Sequence, residues 1–233
     1  MRQLLQTNFL VQFSLFNPWR VEDIKLDNAR LSEDRLLGGR VRFRQPARGY
    51  RVGSDSVLLA AAVPAVSGSR VLDLGAGVGA ASLCLAVRVP GCQIDAVELQ
   101  PELADIAVCN AGLNNLNGRM RLHVGNIASL PSTFFRSFDH VMVNPPYLPA
   151  NRDSRGSRGN LSKVEAGARL SDWVSAASST LRTKGSLTFI HRSDRLDELL
   201  ALIRDVAGEI VVAPLWSHRG KAARRILVRA RKG

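Results

Sequence analysis

Residues 141–149 read VMVNPPYLP. A run of β-formers stops at Asn144, and Pro145, Pro146 and Tyr147 follow. Pro145 restricts Asn144 to extended backbone, and neither proline has an N–H to donate. The result is a stiff platform with two acceptors, the Asn144 side-chain oxygen and the Pro145 carbonyl, below the flat ring of Tyr147. Such a platform fits a planar substrate that carries an NH2 group. Two N–H bonds hold the nitrogen, weaken its conjugation with the ring, and leave its lone pair aimed at an electrophile. Displacement of this kind rests on positioning and desolvation and needs no strong base. The nitrogen sheds its proton after it has been alkylated. The same four residues also suit a rigid strand-ending turn with Tyr147 in the core.

The electrophile must come from elsewhere in the chain. Residues 71–79 read VLDLGAGVG, with Gly75, Gly77 and Gly79 between a strand and a helix, where backbone bends tightly and can approach a ligand. Asp73 puts a carboxylate at that strand's carboxyl end, and Glu98 ends the next strand. A dinucleotide fingerprint requires G-x-G-x-x-G; here the spacing is one residue shorter, and a carboxylate beside it would repel a pyrophosphate. A carboxylate suits an ammonium group instead. S-adenosylmethionine has an amino-acid moiety, a ribose and an adenine, so it matches Asp73, the glycines and Glu98 in order. Farther on, HVGNI places Asn126 and Ile127 after a strand. Asn126 either accepts from the adenine amino group, with Ile127 packed on the ring, or is a simple turn residue.

The elements that must carry these groups alternate regularly. Strands are expected at 40–44, 70–74, 93–98, 121–124, 140–143 and 186–191, with helices at 54–63, 80–88, 101–114, 164–181 and 193–206. Pro64 stops the first helix and Pro101 opens the third. Strands at 210–215 and 224–228 close the chain without a helix between them. Near-continuous Val, Ile and Leu strands joined by helices imply a parallel sheet covered on both faces. The expected architecture is α/β: a doubly wound, mostly parallel, seven-stranded sheet, Rossmann-like, with an antiparallel hairpin at its C-terminal edge. Residues 1–35 show no sustained period and are expected to form an extension ahead of one domain, 36–233.

Bulk properties narrow the partners. The 233 residues suit one large domain. Lysine and arginine number 32 against 20 acidic residues, a net charge of +12, which favours a polyanionic partner such as nucleic acid. The apolar stretch at 9–16 is far shorter than the ~20 residues that cross a bilayer. Cys84, Cys92 and Cys109 lack metal-ligand spacing, and the four histidines are scattered, so no metal is expected. An odd cysteine count without a signal peptide suggests reduced thiols and a cytoplasmic location.

The set VLDLGAGVG, AVELQPE, GNI and NPPYLP resembles the class I methyltransferases that alkylate exocyclic or amide nitrogens. With RVGSDSVLLAAA before it and KAARRILVRA at the end, the chain is similar, over roughly residues 36–231, to the bacterial tRNA adenine N6-methyltransferases that act beside the anticodon of valine tRNA. These lie within the small-methyltransferase family. The resemblance implies a methionine moiety near Asp73, Gly75 and Gly77, ribose on Glu98, and the target amine on Asn144 and Pro145 with Tyr147 stacking. The family usually has Asp where this chain has Asn126. Ser54 and Asp55 resemble a cofactor-covering turn, and equally a helix cap.

Cations cluster in two further places. Arg152, Arg155, Arg158 and Lys163 alternate with Gly and Ser after the NPPY motif, and Lys221, Arg224 and Arg225 precede the last strand. Beside a base-accepting pocket both sets suit tRNA phosphates; the first can also be read as a solvated loop. The rival readings are a release-factor glutamine methyltransferase, a guanine N2 methyltransferase, a cofactor- and RNA-binding module without turnover, and an NAD-binding reductase. Oligomeric state is left open.

Overall fold

The computed structural model describes residues 30–49, 51–147 and 168–233. Seven strands form one sheet: β3 (Arg70–Leu74), β4 (Gln93–Glu98), β5 (Met120–Val124), β6 (Phe138–Val143), β7 (Leu181–Arg192), β8 (Gly208–Leu215) and β9 (Arg225–Arg231). Their spatial order is β5-β4-β3-β6-β7-β9-β8. All pairings from β5 to β7 are parallel; β9 runs antiparallel to β7 and to β8. This is the doubly wound sheet with an antiparallel edge that the sequence implied. The chain reverses its winding between β3 and β6, and in open sheets a ligand crevice opens where the strand order reverses, beyond the strand carboxyl ends.

Both faces are covered. The helices are α1 (Ser54–Ala62), α2 (Ala80–Arg88), α3 (Pro101–Leu113), α4 (Leu170–Thr180) and α5 (Leu196–Arg204). On one side α1, α2 and α3 bury residues such as Leu59, Leu83 and Ile106 against Val71 and Ile94. On the other, α4 and α5 bury Trp173, Val174, Leu199 and Ile203 against Leu72, Val141 and Phe189. Strand residues point to both layers in alternation, so β3 and β6 are apolar at most positions, on both faces.

A two-stranded hairpin sits outside the sheet. β1 (Leu31–Leu36) pairs antiparallel with β2 (Val41–Pro46). The sequence showed β2 alone and left 31–35 in the extension. Beyond the burial of Val41 and Phe43, the hairpin is held by two asparagines one turn apart, Asn110 on α3 and Asn114 at its C-cap. Asn110 Oδ1 accepts from the Arg44 amide at 2.7 Å and its Nδ2 donates to the Arg44 carbonyl at 2.9 Å. Asn114 binds the Arg42 amide and carbonyl in the same way, at 3.0 and 2.6 Å. Each side chain supplies the donor and acceptor of a missing strand neighbour.

Other boundaries moved by one to three residues, as where the last strand runs to Arg231 and not Val228, and three changes are larger or of another kind. α4 begins at Leu170, and residues 164–167, expected as its first turn, lie outside the described residues. β7 starts at Leu181, five residues early, because its pairing with β6 shifts register between Phe138 and His140 around Lys184 at φ 64. The helix expected from Ser193 opens as a 3-10 turn, Ser193–Arg195, before α5.

Candidate active site

A cavity of about 890 Å³ opens at the carboxyl ends of β3, β4 and β6. Of the expected site residues, Asp55, Asp73, Gly75, Gly77, Glu98, Asn126, Ile127, Asn144, Pro145, Pro146, Tyr147, Arg224 and Arg225 all line it. The parallel register explains the meeting: Leu74 pairs with Val97 and with Val143, so the segments that follow each strand emerge side by side.

The glycine turn forms the floor. Gly75 and Gly77 have positive φ, 76 and 56. The amides of Gly75 and Ala76 both donate to the Val97 carbonyl, at 2.9 and 3.0 Å, and fix the turn to β4. A Cβ on Gly75 would stand 2.8 Å from the Trp173 ring. Only a bare backbone fits between that indole and the cavity. Trp173 lines the cavity and was not singled out from the sequence, because a tryptophan in a helical apolar stripe looks like core. Gly79 serves differently from expectation. It caps α2 at φ 82, and a Cβ there would meet Met120 at 2.7 Å and Ala107 at 3.3 Å, so it permits helix packing and does not line the cavity.

Two buried carboxylates flank the floor. Asp73 accepts from the Ser82 hydroxyl at 2.6 Å. Burial, opposed by that hydrogen bond and helped by the Glu98 charge, raises its pKa to about 7. Glu98 accepts the Gly77 amide on Oε2 at 2.8 Å and the Gln100 amide on Oε1 at 2.9 Å. Burial also raises Glu98 above the ordinary carboxylate range, against those amide bonds. Beyond it Leu99, 54% exposed, and Ile127 present apolar surface at the rim. Asn126 Oδ1 accepts from the Ala128 amide at 3.0 Å, the turn role that the sequence left open beside an adenine contact.

Asn144 follows β6 directly and remains half-buried at the cavity wall. Tyr147 curls back so that its hydroxyl oxygen is 2.6 Å from Asn144 Oδ1 and 2.7 Å from Asp55 Oδ2. Arg225 donates from Nε to Asp55 Oδ2 at 2.9 Å, and its guanidinium lies 4.4 Å from the centre of the Tyr147 ring. One ring face is therefore covered by a cation. Arg225, expected on RNA phosphate, is engaged inside the site. Below the tyrosine, His191 is wholly buried with its ring edge-on at 5.5 Å. Burial lowers its pKa to about 4, so it is neutral.

The remaining expected residues divide as follows. Ser54 is exposed at the first position of α1, does not line the cavity, and does not cap; Gly53 is the N-cap. Lys221 and Arg224 are exposed and line a second cavity of about 390 Å³, and Arg224 borders both cavities. Arg152, Arg155, Arg158 and Lys163 lie outside the described residues. Among the described residues no cluster of His, Cys, Asp and Glu could hold a metal, and no helix is long and apolar enough to cross a membrane.

A carboxylate, a bare glycine floor, a second carboxylate and an apolar rim, taken in that order, fit an ammonium, a ribose and an adenine. Comparison with known proteins agrees. The family described as "Methyltransferase small domain" matches residues 50–209. A protein of Aeromonas hydrophila named tRNA1(Val) (adenine(37)-N6)-methyltransferase is 31% identical over 185 residues, covering 78% of this chain and 77% of its own. One of the same name from Actinobacillus succinogenes is 31% identical over 182 residues, covering 76% and 75%. Among solved structures, a predicted O-methyltransferase of Agrobacterium tumefaciens superposes with a TM-score of 0.64 at 26% identity, over 77% of this chain and 81% of that one. The chain belongs to the methyltransferase small-domain family.

Proposed function

We propose that this chain transfers a methyl group from S-adenosylmethionine to the exocyclic N6 amine of an adenine in tRNA, beside the anticodon, in the cytoplasm. The observation that carries the proposal is Asn144 with Pro145 at the end of β6, on the wall of the cavity that also holds Asp73 and Glu98. When bound, S-adenosylmethionine supplies a methyl group activated on a sulfonium. Asp73 holds the ammonium, and Glu98 accepts from the ribose hydroxyls with the lone pairs its backbone bonds leave over. Ile127 and Leu99 flank the adenine. Asn144 Oδ1 and the Pro145 carbonyl each accept one N–H of the target amine, which turns its lone pair toward the donor. The ring face of Tyr147 not covered by Arg225 stacks on the base and excludes water. No general base is required, because the nitrogen becomes acidic once alkylated.

RNA as the acceptor is supported by the +12 charge, by exposed Arg224 on the cavity with exposed Lys221 beside it in the second cavity, and by the names of the curated relatives. A glutamine side-chain amide, or guanine N2, would fit the same two acceptors; a binding module without turnover would leave them unused. Labelled methyl transfer to total tRNA, set beside release factor, separates these. Label in adenosine of tRNA is the expected result; label in release factor, in guanosine, or in neither overturns the proposal.

A further inference from the structure

The Tyr147 hydroxyl has one proton and two acceptors at hydrogen-bond distance, Asn144 Oδ1 and Asp55 Oδ2. It keeps that proton: burial first, and the Asp55 charge second, hold the phenol far above its ordinary value. If the proton goes to Asn144, the amide oxygen that should receive the target amine is turned toward the tyrosine and has one of its two lone pairs in use. If it goes to Asp55, that oxygen is released. A charged acceptor wins over a neutral one, and Asp55 is fixed in place by Arg225 Nε at 2.9 Å. The hydroxyl oxygen then faces the amide as an acceptor. A half-turn of the amide puts Nδ2 there as donor and leaves Oδ1 for the cavity.

We infer that Asp55, braced by Arg225, is a positioning residue: it draws the Tyr147 hydroxyl proton to itself and so orients the Asn144 amide with its oxygen toward the target amine. The three groups come from α1, from the segment after β6, and from the start of β9, with Tyr147 92 positions and Arg225 170 positions after Asp55. A phenylalanine would stack on a base equally well. The hydroxyl and its acceptor exist for the amide. This inference rests on the proposed amine site.

Side-chain 15N NMR of the full chain tests it without turnover, the Asn144 amide signal being assigned with Asn144→Ser. One Asn144 amide proton is expected downfield in the wild type and shifted upfield by both Tyr147→Phe and Asp55→Ala. An Asn144 signal that Asp55→Ala leaves in place overturns the inference. Methyl transfer to tRNA supplies the second readout. Asp55→Ala is expected to lower kcat roughly tenfold, the weight of about one hydrogen bond, with KM and cofactor affinity within about twofold. In the Tyr147→Phe background the same substitution should cost nothing further. Additive losses overturn the inference. A wild-type chain that transfers nothing would instead sink the functional reading, and the NMR result would still decide this one.

Discussion

Glu98 Oε2 accepts the amide proton of Gly77 at 2.8 Å, 21 residues back along the chain, while its other oxygen holds the Gln100 amide. The carboxylate therefore shapes the glycine floor, in addition to the ribose contact proposed for it. In Glu98→Gln one end of the side chain becomes a donor facing a backbone donor. Cofactor affinity is expected to fall about tenfold or more, from one misdirected hydrogen bond, while the thermal unfolding curve stays cooperative. Calorimetric titration with S-adenosylmethionine reads it, and an unchanged affinity would remove Glu98 from the site.

Asp73 gives the site a pH dependence with a definite sign. Burial raises its pKa from 3.8 to about 7, so below that value the folded, empty chain holds a neutral acid with no charge for an ammonium. Affinity for the cofactor should strengthen as pH rises through about 7, and binding at pH about 6 should release a proton. Stability runs the other way. The unfolded chain ionises near 3.8 while the folded chain keeps its proton, so this group's stabilisation is complete below that and is lost as pH climbs to about 7. Titration calorimetry in two buffers of different ionisation enthalpy measures the proton. A pH-independent affinity, or no flattening in Asp73→Asn, contradicts the assignment.

Lys221 and Arg224 are exposed and share the second cavity, which Arg224 joins to the first, whereas Arg225 is tied to Asp55. Charge reversal at Lys221 or Arg224 should weaken tRNA binding uniformly and reduce the slope of log affinity against log salt by about 1 each. Filter binding across a salt series checks this. A slope unmoved by either substitution places the RNA elsewhere.

A stability prediction follows from β7. The Thr188 hydroxyl is wholly buried and has no hydrogen-bond partner among the described residues. Thr188→Val keeps the β-branched shape and removes the stranded polar atom, so it should stabilise the chain by about 1 kcal/mol. Urea unfolding measures it; a loss of stability would mean that the hydroxyl is satisfied by water.

Much of this was legible in the sequence because it depends on local pattern. Continuous apolar strands, glycine turns and prolines marked β3, α2 and β4 to the residue, and the switch from helix to strand pairs at the end exposed the antiparallel edge. The places of Asn144 and Asp73 on the cavity were legible because each sits at or just past a strand's carboxyl end, and parallel strands deliver those ends to one crevice. What stayed hidden is long-range. Gly79 looks like Gly75 in sequence; only Met120 and Ala107, packed beside it, give it another role. β1 was hidden because it pairs with β2, whose outer side is held by the amides of Asn110 on α3 and Asn114 at its C-cap, contacts that no local pattern announces. Arg225 stands in a basic cluster, and nothing local reveals the carboxylate that captures it.

The most direct test is nucleoside mass spectrometry of tRNA after incubation with the chain and S-adenosylmethionine, for the wild type and Asn144→Ala. The wild type should produce N6-methyladenosine. Asn144→Ala should produce none while binding the cofactor within a few-fold, since the role proposed for its acceptor is toward the amine and not the cofactor. Methylation at another atom, or an Asn144→Ala chain that still methylates adenine, would contradict the site described.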